Sequence, residues 1–126
     1  MTRKKFIDEY THLLTLAIKL ADKARSEGTA SLETEIEDIA DEYFKNGLRF
    51  VADQTDPRLI DEIMTNRTAH EKDKYSSLLK TVQKRAVLGI QAQEPFRVFY
   101  HVLKSIPPLT EKEENTIDDL ILFAEE

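Results

Sequence analysis

The feature that most constrains this chain is a run of apolar residues near its start. Phe6, Tyr10, Leu13, Ala17, Leu20 and Ala24 recur at steps of 4, 3, 4, 3 and 4 residues. That period fits one face of an α-helix and no face of a strand. A second stripe, Ile7, Leu14, Ile18 and Ala21, runs beside it. The spacing predicts a helix over 4–27. With two adjoining seams, that helix must touch more than one neighbour, in its own bundle or in another subunit. Gly28 stands where a left-handed C-terminal cap would close it.

Little elsewhere opposes helix formation. The 126 residues include only three Gly and four Pro, and 40% are hydrophobic against 33% charged. This is too apolar for a disordered chain and long enough for one modest core. The expectation is an all-α fold, a single domain over 1–126, built as a bundle of four to six helices. No Cys occurs, which removes disulfides and thiolate metal sites and suits a reducing, cytoplasmic setting. No apolar run approaches the roughly 20 residues of a transmembrane helix. The basic start, Met1 to Lys5, leads into Asp8, Glu9 and His12 rather than a leader's apolar stretch. The chain therefore reads as soluble, with no membrane insertion.

A net charge of −6 argues against a nucleic-acid partner. The charge is also blocked. Lys plus Arg against Asp plus Glu is 6 to 4 over 1–28, 3 to 10 over 29–66, 8 to 3 over 67–105 and 1 to 7 over 106–126. Basic and acidic helices packed side by side would account for this, and so would a charged docking surface.

Further helices follow from local signals. A second is expected over about 30–45, with Leu32, Ile36, Ile39, Ala40 and Tyr43 inward and Asn46-Gly47 as its stop. Leu48 to Ala52 fits a helical turn or tucked connector. Asp56-Pro57 starts a third helix, Asp56 capping it and Pro57 needing no amide partner there. Nothing breaks that helix before Gly89 and Pro95, so it is expected to be long. Its middle, Thr65 to Lys74, is polar all round, so it either projects into solvent or divides in two. Glu94-Pro95 begins a shorter helix that ends at Pro107-Pro108. Thr110 and Glu113 form a capping box for the last one, so 94–126 should carry soluble C-terminal helices.

Chemistry-bearing patterns are sparse. Glu9 and His12 have the Glu-x-x-His spacing of di-iron bundles, but such sites need the motif twice with further Glu ligands. His70 and His101 lack ligand-spaced partners. No nucleophile elbow or phosphate loop occurs. The acidic run Glu33 to Glu42 lacks the Gly-containing loop of a calcium site. No catalytic residue, cofactor or metal is assigned, and the chain is not expected to be an enzyme.

Two ordered blocks are more informative. The first is Ala21-Asp22-Lys23-Ala24-Arg25-Ser26-Glu27-Gly28, leading to Leu32-Glu33. The second is Phe44-Lys45-Asn46-Gly47-Leu48-Arg49-Phe50-Val51-Ala52-Asp53-Gln54-Thr55-Asp56-Pro57. Over roughly 13–64 the chain resembles the cytoplasmic loop of the flagellar stator family of MotA (MotA/TolQ/ExbB). The resemblance implies docking through charged side chains to a rotor protein, FliG, with Arg25 and Glu33 at the positions of the contacting Arg and Glu. Gln54 stands where the family's turn has Gly. The family's membrane helices have no counterpart here, so no proton path is expected.

Three readings follow. The first is a soluble MotA-loop-like module that binds a rotor or stator component as an accessory or regulator of motility. The second is a homo-oligomeric helical adaptor without a motor role. The third, a metal-bound helical enzyme, rests on Glu9 and His12 alone.

Overall fold

The computed structural model describes residues 1–125. They form seven α-helices, one 3-10 turn and no strand. These are α1 (Arg3–Glu27), the 3-10 turn (Thr29–Leu32), α2 (Glu33–Ile36), α3 (Glu42–Ala52), α4 (Pro57–Thr68), α5 (Lys74–Gln91), α6 (Phe96–Ser105) and α7 (Glu111–Glu125). The all-α expectation holds. The expected four to six helices are too few, because two long spans divide.

The apolar stripe of α1 forms the central post. The Thr2 hydroxyl caps its start by accepting the Lys5 amide at 3.1 Å. Both seams are buried, from Phe6 to Ala24 in one and Leu14, Ile18 and Ala21 in the other, with Ile7 half-buried. The helix therefore packs on several neighbours, α5 and α6 among them. From α5 come Leu79, Val82, Ala86, Val87 and Ile90, and from α6 Phe99, Tyr100 and Leu103. Each large side chain so buried contributes roughly 1.5–3 kcal/mol of transfer free energy. The Tyr10 hydroxyl crosses this core to donate to the Leu103 carbonyl at 2.9 Å. Burial pushes its ionisation well above the usual phenol range.

The helix expected over 30–45 does not exist. The chain makes the 3-10 turn and the single turn of α2, then leaves helical geometry before α3. Glu33, Glu37 and Asp41 would stack at four-residue intervals, as would Asp38 and Glu42, and like charges so placed repel. Asp41 instead caps α3, its carboxylate accepting the Phe44 amide at 2.9 Å. Leu32, Ile36 and Ile39 are buried as expected, but Ala40, in the break, is exposed. Asn46-Gly47 lies inside α3 and stops nothing. Gly47 is there for closeness, since a Cβ would come within 2.8 Å of Met64 Cε and 2.9 Å of Val87 Cγ2.

The long third helix also divides. Asp56 caps α4 as expected, accepting the Arg58 amide at 2.8 Å with Pro57 in the first turn. The polar middle then turns at 69–73, and Asp73 caps α5 by accepting the Ser76 amide at 2.8 Å. The turn lets Ile60 and Met64 fold back onto α5 and become buried. The capping box at α7 forms in both directions, at 2.9 Å and 3.1 Å.

Two helix ends share an unexpected chemistry. At the end of α3, the Gln54 amide reaches Val51 O at 3.0 Å and the Thr55 amide reaches Phe50 O at 2.9 Å. At the end of α5, the Gln93 amide reaches Ile90 O and the Glu94 amide reaches Gly89 O, both at 3.1 Å. These are Schellman caps, whose pivot residue is left-handed and usually Gly. Here the pivots are glutamines, with φ of 61° and 54°. Gln54, which stands where the resembled family's turn has Gly, is left-handed here.

Candidate functional site

Arg25 sits in the last turn of α1, with its guanidinium engaged inside the molecule. It pairs with Asp22 one turn earlier. Its Nη1 donates to the Glu94 carbonyl at 2.8 Å, across to the α5–α6 corner. That corner is braced. Arg85 grips the Glu94 carboxylate in a fork at 2.9 and 2.7 Å. Gln93 donates its side-chain amide to the Ala24 carbonyl at 2.6 Å. Gly89 leaves the space, since a Cβ would lie 2.7 Å from the Phe99 ring. The Arg25 side chain retains 26% exposure, so part of the cation still reaches the surface.

Glu33 is placed differently. It opens α2, is exposed, and its side chain makes no hydrogen bond or ion pair among the described residues. Glu33 does not pair with Arg25, whose partners are Asp22 and the Glu94 carbonyl. Lys23 instead ties α1 to α2, at 3.1 Å to Glu35 and 2.7 Å to Thr34. The hydrogen bond from Lys23 holds the Glu35 carboxyl below the usual range. Glu33 borders a shallow cleft with Ile36, Glu37, Arg49, Ala52 and Asp53. The cleft can offer carboxylates to a cationic partner. Glu37 and Arg49 face each other across it at 3.7 Å.

Glu9 and His12 lie on the rim of another groove, between α1, α3 and α5, and both are exposed. His70 and His101 are also exposed and far apart in the chain. Among the described residues, no three His, Asp or Glu side chains converge as a metal site. No helix among them is long and apolar enough to cross a membrane.

Sequence reasoning missed the residues that hold Arg25. Arg85, Gln93 and Glu94 become its neighbours only when the left-handed cap reverses the chain, and a glutamine does not announce such a cap. It also missed Lys104, buried on α6 and paired with Asp118 at 2.7 Å and Glu114 at 3.1 Å. The legible signal was the two acids at four-residue spacing in α7, one helical face able to meet one cation.

No family model matches the chain, and no solved structure matches it. Curated relatives do. Motility protein A of Borreliella burgdorferi is 35% identical over 77 residues, covering 59% of this chain and 30% of that protein. Motility protein A of Treponema phagedenis is 35% identical over 70 residues, 56% of this chain and 27% of that protein. Motility protein A of Bacillus subtilis is 34% identical over 65 residues, 52% and 24%. The matched stretch spans less than a third of the length of these relatives. The 77-residue match exceeds the 52 residues from 13 to 64, so the likeness reaches beyond the two motif blocks. Over rather more than half of its length, this chain is similar to Motility protein A.

Proposed function

We propose that this chain is a protein-interaction module of the motility apparatus, docking on a motor component as accessory or regulator. The observation that carries the reading is the similarity to Motility protein A over 59% of the chain. By the resemblance, the partner is a rotor or stator component, with the rotor protein FliG first among them. The two charged residues then have unequal parts. Glu33, exposed and unpaired among the described residues, is the direct contact. Arg25 offers only its exposed edge and otherwise ties the end of α1 to the α5–α6 corner. Contacts of this kind give orientation and fast, salt-sensitive association more than raw affinity. The reading ascribes no catalysis, metal or cofactor to the chain.

The test is an affinity capture from native lysate, comparing wild type with Glu33→Lys and with the Arg25→Glu, Glu33→Lys pair, each checked for folding by circular dichroism. Capture of a motor protein by wild type, lost in the folded Glu33→Lys variant, is expected. Capture that survives both variants removes Glu33 and Arg25 from the interface. Absence of any motor protein leaves the similarity as shared ancestry only.

A second reading, a homo-oligomeric adaptor, draws on Leu120 and Phe123, which are 60% and 70% exposed on α7. Multi-angle light scattering that finds a strict monomer at high micromolar concentration ends it.

A further inference from the structure

α7 has little apolar attachment to the rest of the fold. Among its described side chains only Ile117 and Ile121 are buried, whereas α1 buries nine residues. Charged groups supply most of the remaining attachment. Arg3 grips Glu113 with Nε to Oε2 at 2.9 Å and Nη2 to Oε1 at 2.6 Å, and also reaches the Pro108 carbonyl at 2.6 Å. Lys104 meets Glu114 at 3.1 Å and Asp118 at 2.7 Å. The Tyr100 hydroxyl donates to Asp118 at 2.6 Å. The Lys104 side chain is only 6% exposed, so α7 covers a cation that would otherwise face water.

The seat beneath α7 is therefore a groove with its own recognition chemistry. Two cations and a phenol stand beside an apolar floor that takes two side chains one turn apart. Its occupant reads as a five-point pattern, Glu113, Glu114, Ile117, Asp118 and Ile121, with Glu113 meeting Arg3 and the other two acids meeting Lys104. Any helix with two adjacent acids and, counted from the second, an apolar residue three positions on, an acid at four and an apolar residue at seven presents the same face. Ion pairs near a surface are weakened by salt. Local opening free energies run from near zero up to that of the whole fold, and segments with few buried apolar contacts lie at the low end.

We propose that α7 is the resident occupant of a docking groove for acidic amphipathic helices, and that it lifts away as a unit so that such a helix of a partner protein takes its place. The proposal does not depend on the motility reading, because its contacts, made by α1, α6, α7 and Pro108 between the last two, include neither Arg25 nor Glu33.

Two measurements on the full chain test it. Hydrogen exchange is followed by mass spectrometry in wild type and in the Glu114→Gln, Asp118→Asn variant. The variant's α7 amides are expected to exchange about tenfold faster or more, while those of α1 and α5 keep their rates; added salt should move wild type the same way. If α7 exchanges in step with α5, or if the variant speeds exchange everywhere, α7 is integral to the core and the proposal is overturned. The second measurement adds a labelled peptide with the sequence of residues 110–125 to the full-length variant and reads fluorescence anisotropy. Salt-sensitive binding is expected, lost when Ile117 and Ile121 of the peptide become Ser. No binding, or binding that survives those changes, overturns the docking role.

Discussion

Single residues decide how tightly the two helix ends are turned. Gln54 and Gln93 both stand in left-handed backbone, where a side chain costs about 1–2 kcal/mol relative to the right-handed region and Gly costs little. They differ in what their side chains do. Gln93 binds the Ala24 carbonyl, whereas Gln54 is exposed with no side-chain bond among the described residues. Gln54→Gly should therefore raise stability by up to about 1 kcal/mol in urea unfolding. Gln93→Gly should give no such gain, because it also removes a partner from a carbonyl at the end of α1. The same logic separates the two candidate contacts. Arg25→Ala should cost about 1 kcal/mol, discounted for partial exposure, and Glu33→Ala should stay within about 0.5 kcal/mol. Equal losses for the two would contradict the placement of Arg25 as a tie. The motif blocks pointed to both residues but could not say which was free. That depended on Glu94, 69 positions from Arg25 in the chain.

At the scale of elements, stripes and caps were legible and breaks were not. The period of α1, the Asp56-Pro57 start, the Glu94-Pro95 start and the Thr110–Glu113 box all follow from local chemistry, and all appear. The misplaced boundaries come from competition. Asp41 and Asp73 are acceptable helix residues until the chain has a reason to turn, and then they cap the next helix. Gly47 looked like a stop because sequence cannot distinguish a glycine that frees the backbone from one that admits a neighbour. Two substitutions test the neighbour reading. Gly89→Ala would press its Cβ on the Phe99 ring and the Glu94 carboxylate, and should cost about 2–3 kcal/mol by overpacking. Gly47→Ala meets the flexible end of Met64 and the stiffer Val87 Cγ2, and gains helix propensity in return, so it should cost about 1 kcal/mol. A gain in stability from Gly89→Ala would show that the α5–α6 corner has slack that this packing does not contain.

Across the whole molecule, the four charge blocks of the sequence close on one another. Lys23 meets Glu35, Lys84 meets Asp61, Arg3 meets Glu113, and Lys104 meets Glu114 and Asp118, each pair joining a basic block to an acidic one. This is the side-by-side packing that the blocks allowed. One consequence is a dependence on acid. The hydrogen bond from Arg3, with the Thr110 amide, depresses the Glu113 carboxyl from 4.5 to about 2. Burial pulls Asp118 upward, but Lys104 and Tyr100 outweigh it and hold its carboxyl below the usual range. A depressed carboxylate stabilises the fold above its ordinary value and loses that contribution as pH falls towards the folded one. The urea midpoint should therefore drop between pH 4.5 and 2, and Glu113→Gln should lower it at neutral pH while flattening the fall. A midpoint independent of pH over that window would remove Glu113 from the attachment.

The central place of α1 also sets a schedule. α1 leaves the ribosome before the helices that complete it, α5 and α6. The Tyr10 hydroxyl waits for a carbonyl 93 residues downstream. At roughly 5–20 residues per second, that separation corresponds to about 5–20 s of synthesis. During that interval the faces of α1 that α5 and α6 will cover stay open. A newborn chain of this kind is a ready client for chaperones, and a stalled or truncated one a candidate for aggregation, until α5 and α6 arrive.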